Sequence, residues 1–123
     1  MKTALIIEDN PDNFVLIRDI LELKGYTTLH AETGMQGFQM TTERQPDFVI
    51  LDIQLPDISG YEVLAKIRQS DQTRAIPVIA MTSYAMAGDS EKLLNAGCNG
   101  YIEKPIDPTM VFDQIRQAIR EEA

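Results

Sequence analysis

The sequence predicts an α/β fold: one domain built on a doubly wound, five-stranded parallel sheet with helices on both faces. Three observations lead there. Short apolar runs alternate strictly with longer stretches whose apolar residues recur at helical spacing, five of each, which is the pattern of strands and crossover helices in a parallel sheet. The central run, Phe48-Val49-Ile50-Leu51, is unbroken, as a strand covered on both faces must be. The chain's 123 residues, 44% hydrophobic and 24% charged, suit one globular domain with a real core and leave no room for a second. Right-handed crossovers leave few topologies. Of the two arrangements that compete at this size, the strand order 2-1-3-4-5 is the more economical, and it sets the first and third strands side by side at the switch point.

Thr3 to Ile7 is the first strand, ended by Glu8-Asp9. Asn10 caps the first helix, with Pro11 at its first position and Asp12 in its first turn. Phe14, Ile17, Ile20, Leu21 and Lys24 carry its periodicity, and Gly25 supplies a left-handed stop. Tyr26 to Ala31 reads as a more exposed strand. Thr33 opens a second helix to about Arg44, with Met35, Phe38 and Thr41 or Thr42 inward and Gly37 a modest weakness. Gln45-Pro46-Asp47 turns into the central strand, which ends at Asp52. After Pro56-Asp57-Ile58-Ser59-Gly60 a third helix turns Val63, Leu64 and Ile67 to one face. Ser70 to Ala75 is a polar loop, and Ile76 to Met81 a fourth strand stopping at Thr82-Ser83. Tyr84 to Asn95 is a poor helix, with Gly88 and Asp89 in its first half, closed by Gly97. Asn99 to Ile102 is a brief fifth strand. Asp107 caps the last helix, with Pro108 first and Val111, Ile115 and Ile119 as its stripe.

Composition excludes several classes of function. A net charge of −8 leaves no basic stripe to release counterions, so nucleic acid is not expected as a partner. Anions are expected only in company with a cation. One cysteine, Cys98, permits no internal disulfide and suits a reducing, cytoplasmic setting, with a buried structural thiol as the default. No run is long enough for membrane insertion or for a secretory leader. The chain stops soon after its fifth helix, so no output domain is expected.

The chemistry gathers at the carboxyl ends of the strands, where open α/β sheets bind ligands. The first strand offers Glu8 and Asp9, the third Asp52, the fourth Thr82 and Ser83, and the fifth Lys104. Like charges about 4 Å apart cost roughly 1 kcal/mol in water and about 4 at an intermediate dielectric, so protons or a cation must relieve the acids. Mg²⁺ fits best, as a hard ion that prefers oxygen and keeps several waters. Asp9 and Asp52 would hold it directly, Glu8 through water, and the backbone carbonyl of Gln54 as a further ligand; Mn²⁺ is an alternative. A cation beside an ammonium and a hydroxyl suits a phosphoryl group, whose transfer needs positioning and neutralisation above all. Asp52 is the best nucleophile, since aspartyl phosphates are established covalent intermediates.

These residues carry a resemblance. Ile6-Ile7-Glu8-Asp9-Asn10, Ile50-Leu51-Asp52-Ile53-Gln54-Leu55-Pro56, Asp57-Ile58-Ser59-Gly60-Tyr61-Glu62, Met81-Thr82-Ser83-Tyr84-Ala85 and Tyr101-Ile102-Glu103-Lys104-Pro105 resemble, in that order and over nearly the whole chain, the CheY-like receiver domain of two-component response regulators. The 2-1-3-4-5 order is the known one for such domains, so the resemblance implies it too. It implies that Asp52 accepts a phosphoryl group from a histidine kinase or histidine phosphotransfer protein, with Glu8 and Asp9 as the acidic metal pair and Lys104 as the phosphoryl-binding lysine. Thr82 is implied as the switch hydroxyl, Tyr101 as the aromatic that turns inward when Thr82 moves, and Lys104-Pro105 as a cis bond. The expected output is protein contact with a downstream target through the face of fourth helix, fifth strand and fifth helix. The chain would catalyse only its own phosphorylation and dephosphorylation. The first acid is Glu where many members have Asp, a longer arm that still reaches a metal-bound water. The Glu-Asp-Asn pattern also resembles relay receivers, so a phosphate-shuttling receiver, or one from a hybrid kinase, is the alternative.

Other readings lack parts. A flavodoxin-like cofactor binder needs a Gly/Ser/Thr-rich phosphate loop after the first strand, where this chain has Glu-Asp. An aspartyl phosphatase needs a second acid two residues after the nucleophile, where this chain has Gln54. An EF-hand starting at Asp9 lacks its loop glycine and distal glutamate. Met81, Met86 and Met110 read as packing, and His30 as a solvated side chain on an outer strand.

Overall fold

The computed structural model describes residues 2–83 and 87–120. Among them five strands and five helices alternate: β1 (Thr3–Ile7), α1 (Pro11–Leu23), β2 (Thr27–Ala31), α2 (Gly34–Arg44), β3 (Phe48–Asp52), α3 (Gly60–Gln69), β4 (Val78–Thr82), α4 (Ala87–Asn95), β5 (Gly100–Glu103) and α5 (Val111–Arg120). All four strand pairings are parallel, in the order β2-β1-β3-β4-β5. This is the fold and the order the sequence predicts. Tyr84 to Met86, where the sequence starts its fourth helix, lie outside the described residues.

Strand alternation divides the core. Leu5, Ile7, Val49, Leu51, Val78 and Ala80 pack with Val63, Leu64 and Ile67 of α3 and Leu93 of α4. Ala4, Ile6, Phe48, Ile50, Ile79, Met81 and Ile102 pack with Ile17 and Leu21 of α1 and Val111, Ile115 and Ala118 of α5. Each central strand thus gives odd and even residues to opposite layers, which is why β1, β3 and β4 read as continuous apolar runs.

The ends of the elements follow local chemistry. Asn10 accepts from the amides of Asp12 and Asn13, with Pro11 opening α1. Thr33 caps α2 and Ser59 caps α3. Gly25 and Gly97 take the positive φ expected of helix stops, 91° and 112°. Gln45 does the same at the end of α2, with φ 48°, a position the sequence marks only as a turn.

Four readings need correction. β4 begins at Val78 rather than Ile76, because the Ile76 amide is spent on Thr73 O, 3.0 Å away, and Pro77 has none to give. α5 begins at Val111 rather than Pro108: Asp107 Oδ1 accepts from the Thr109 amide and hydroxyl, at 2.9 and 2.7 Å, and caps a turn that precedes the helix. Met35 faces outward, 48% exposed, and the buried residues of α2 are Gly34, Gly37 and Thr41. Gly37 is no mere weakness: a Cβ there would stand 2.5 Å from Ile7 Cδ1, so its bareness lets α2 close onto β1.

Candidate functional site

Parity places the site. Glu8 continues the alternation of Ala4 and Ile6, Asp52 that of Phe48 and Ile50, and Lys104 that of Ile102, all on the α1/α5 side of the sheet. The ladder persists one residue beyond β1 and β5, since Glu8 N bonds Ala31 O at 3.0 Å and Lys104 N bonds Thr82 O at 2.8 Å. Three side chains on one face, at one edge of three strands, therefore converge. Lys104 Nζ lies 3.1 Å from Asp52 Oδ2 and 3.3 Å from Glu8 Oε1. Lys104 is followed by a cis bond to Pro105.

Glu8 and Asp52 are buried and Asp9 is exposed, yet one oxygen from each of the three lies within 4.8 Å of the others. Desolvation, reinforced by the Asp52 carboxylate and only partly offset by Lys104, pushes the Glu8 carboxyl up to about 7. Burial alone would lower Lys104, but the Asp52 charge, then that of Glu8, holds its ammonium above the ordinary lysine value. Among the described residues Glu8 Oε1 is the buried side-chain oxygen without a hydrogen bond; the Lys104 ammonium faces it as an ion pair at 3.3 Å. An oxygen-only cluster with excess negative charge and one orphaned carboxylate atom is the donor set a hard divalent cation takes.

The remaining predicted residues lie on β4, on β5 and in the turn after β3. Thr82, 4% exposed, ends β4 opposite Glu103, and its carbonyl receives the Lys104 amide. Gln54 meets Asp52 through its amide, which donates to Oδ1 at 3.0 Å and leaves its carbonyl available to a metal. The turn that carries it is tight: a Cβ on Gly60 would stand 2.6 Å from Asp52 O and 2.5 Å from Ile53 Cα. Tyr101 is exposed on β5, apart from the acids, in register with Ala80.

Two residues were missed. His30, read as solvated, is half-buried: its ring stacks on Phe14 and its Nε2 lies 2.8 Å from Glu8 O. Asp57 crosses to α2, where Oδ1 and Oδ2 accept from the amides of Gly34 and Met35 at 2.8 and 3.0 Å. Those amides, Met35 first, hold its carboxyl below the usual aspartate value. Both contacts depend on how distant segments meet, which no local spacing encodes.

Residues 4–116 match the family described as response regulator receiver domain. The chain is 41% identical over 115 residues to the polar-differentiation response regulator DivK of Brucella anthropi, covering 94% of each. Among solved structures it is similar to the receiver domain of a sensor histidine kinase from Pseudomonas aeruginosa, described with a magnesium ion coordinated in its active-site cleft. There the TM-score is 0.86 and the identity 31%, over 97% of this chain and 98% of that one. It is also similar to a CheY-like receiver domain protein from Methanospirillum hungatei, with TM-score 0.87 and 30% identity over 99% and 96% of the two chains.

Proposed function

We propose, for a chain that belongs to the response regulator receiver domain family, that Asp52 accepts a phosphoryl group from a phosphohistidine and thereby switches a protein-binding face. The observation that carries this is a triad at the carboxyl edge of the sheet: buried Asp52 and Glu8 share one ammonium, Lys104, at 3.1 and 3.3 Å. A histidine kinase or histidine phosphotransfer protein is the donor. The relative, a response regulator matched over 94% of its length, supports a switch of this kind, and we read its output as contact with a downstream protein.

A carboxylate oxygen of Asp52 attacks phosphorus in line as the P–N bond to the donor imidazole breaks; the bond pair leaves on nitrogen, which picks up a proton. Lys104 offsets the charge on the phosphoryl oxygens, and the Thr82 hydroxyl donates to one of them. The Gln54 amide, already on Asp52 Oδ1, fixes the carboxylate for attack. Asp9, Asp52, Glu8 through water and the Gln54 carbonyl would hold Mg²⁺, which supplies further neutralisation of the transferring group. A phosphoryl group adds nearly two negative charges and three acceptor oxygens, drawing Thr82 toward it and letting Tyr101, exposed beside α5 in this state, turn inward.

The test is labelling by acetyl phosphate with Mg²⁺, followed by intact mass. One phosphoryl group is expected on the wild type and none on Asp52→Asn; equal labelling of the variant removes Asp52 as acceptor.

A further inference from the structure

β2 reaches the acid site's own backbone. His30 Nε2 lies 2.8 Å from the carbonyl oxygen of Glu8, and its ring stacks on Phe14 of α1, centroids 3.6 Å apart and planes 9° from parallel. A carbonyl only accepts, so the ring N–H is the donor; both the Nε2–H tautomer and the imidazolium supply it. From the same strand, Ala31 O receives the Glu8 amide at 3.0 Å. Glu8 is thus pinned at both ends by consecutive residues of β2.

The pinned carbonyl belongs to the peptide that joins Glu8 to Asp9. A peptide is planar, so holding its oxygen sets the last backbone torsion of Glu8 and the first of Asp9 together. Those torsions decide whether neighbouring side chains, one buried and one exposed, can bring their carboxylates within 4.8 Å of each other and of Asp52. In an extended strand successive side chains point to opposite faces, so this convergence requires the chain to turn at that peptide. We propose that His30 is a positioning residue for the cation site: its N–H holds the Glu8–Asp9 peptide in the orientation that aims both acids at one ion, and Phe14 holds the ring. This rests on the proposed function to the extent that the acids hold a cation.

His30→Phe keeps the aromatic stack and removes the donor; His30→Gln restores an N–H at similar reach and removes the ring. In metal-free wild type, NMR should detect a coupling across the hydrogen bond between His30 Nε2 and the Glu8 carbonyl carbon. His30→Phe should shift the Asp9 amide resonance and weaken Mg²⁺ binding roughly tenfold, a loss beyond what its lowered metal-free stability accounts for, and His30→Gln should recover most of that affinity. The proposal is overturned by an absent coupling in the wild type, by wild-type Mg²⁺ affinity in His30→Phe, or by losses in both variants that merely follow a fall in metal-free stability. Should His30→Phe not fold, the wild-type coupling and the affinity of His30→Gln decide. Asp9→Asn separates the two readings: unchanged Mg²⁺ affinity there removes the cation site itself, whereas the coupling tests His30 without any metal.

Discussion

Glu8 is the residue at which the conflict between folding and signalling is sharpest. Its carboxyl is fully buried and pushed up to about 7 from the ordinary 4.5, by desolvation first and the Asp52 charge next. A buried acid with a raised value contributes most when protonated. Its contribution is fully present below pH 4.5 and lost as pH rises through about 7. Metal-free protein should therefore lose stability between about pH 5 and 8, and Glu8→Gln, uncharged throughout, should show a flatter profile in urea melts across that range. A parallel decline in both proteins would mean that another group governs the loss. Lys104 lies within reach of both acids, but one ammonium cannot neutralise three carboxylates. The surplus is the reason a cation is expected here. The sequence made the residue types of this cluster legible, because each stands directly at or after an apolar run. It also held a signal for their convergence, the shared parity of Ala4-Ile6-Glu8, Phe48-Ile50-Asp52 and Ile102-Lys104. The role of His30 was not legible, because its partner Glu8 is set by the register of β2 against β1.

At the scale of elements, α2 shows how a packing contact and a cap fix the loop that follows Asp52. Gly37 sits against Ile7, and a Cβ there would approach three of its side-chain atoms within 2.9 Å. Gly37→Ala gains about 1 kcal/mol of helix propensity but overpacks a buried contact, at a cost of roughly 1–3 kcal/mol. A net loss of stability is expected in denaturant titration; a gain would mean that α2 has room to shift. The Asp57 carboxylate spans the first two amides of α2 from the loop after β3. With its value lowered by those amides, the contribution is present above 3.8 and disappears as pH falls through the lower folded value. The Gly34 and Met35 amide resonances should therefore move together below the usual aspartate range, and Asp57→Asn should abolish that movement while retaining the fold. Apolarity alone predicts Met35 inward on helix 2. The buried face is instead made of Gly34, Gly37 and Thr41, whose small size matters where helix and strand approach closely.

Across the whole molecule the two edges of the sheet divide the labour. The carboxyl edge gathers buried charge and is unfavourable to fold; the amino edge is fastened, and Arg68 is its fastening. From α3 its guanidinium donates to Gly97 O at 2.8 Å, Arg74 O at 2.9 Å, Ile76 O at 2.7 Å and Asn99 Oδ1 at 2.9 Å. Asn99 Oδ1 also receives the Val78 amide at 2.7 Å, so one side chain ties α3, the loop before β4, the end of α4 and the start of β5. Hydrogen bonds from a charged donor contribute about 1.5–3 kcal/mol each, and carbonyls left partly buried without a donor add a cost. Four such bonds are coupled and do not add, so Arg68→Ala should lower unfolding stability by about 3 kcal/mol. The cluster at Asp52 lies at the other end of the strands. Below its melting temperature the variant should therefore take up a phosphoryl group from acetyl phosphate at the wild-type rate. A large loss of labelling without loss of stability would show that the fastened edge also sets the geometry at Asp52. The expected result, stability lost and chemistry kept, is what a parallel sheet makes possible by sending every strand's carboxyl end to one side.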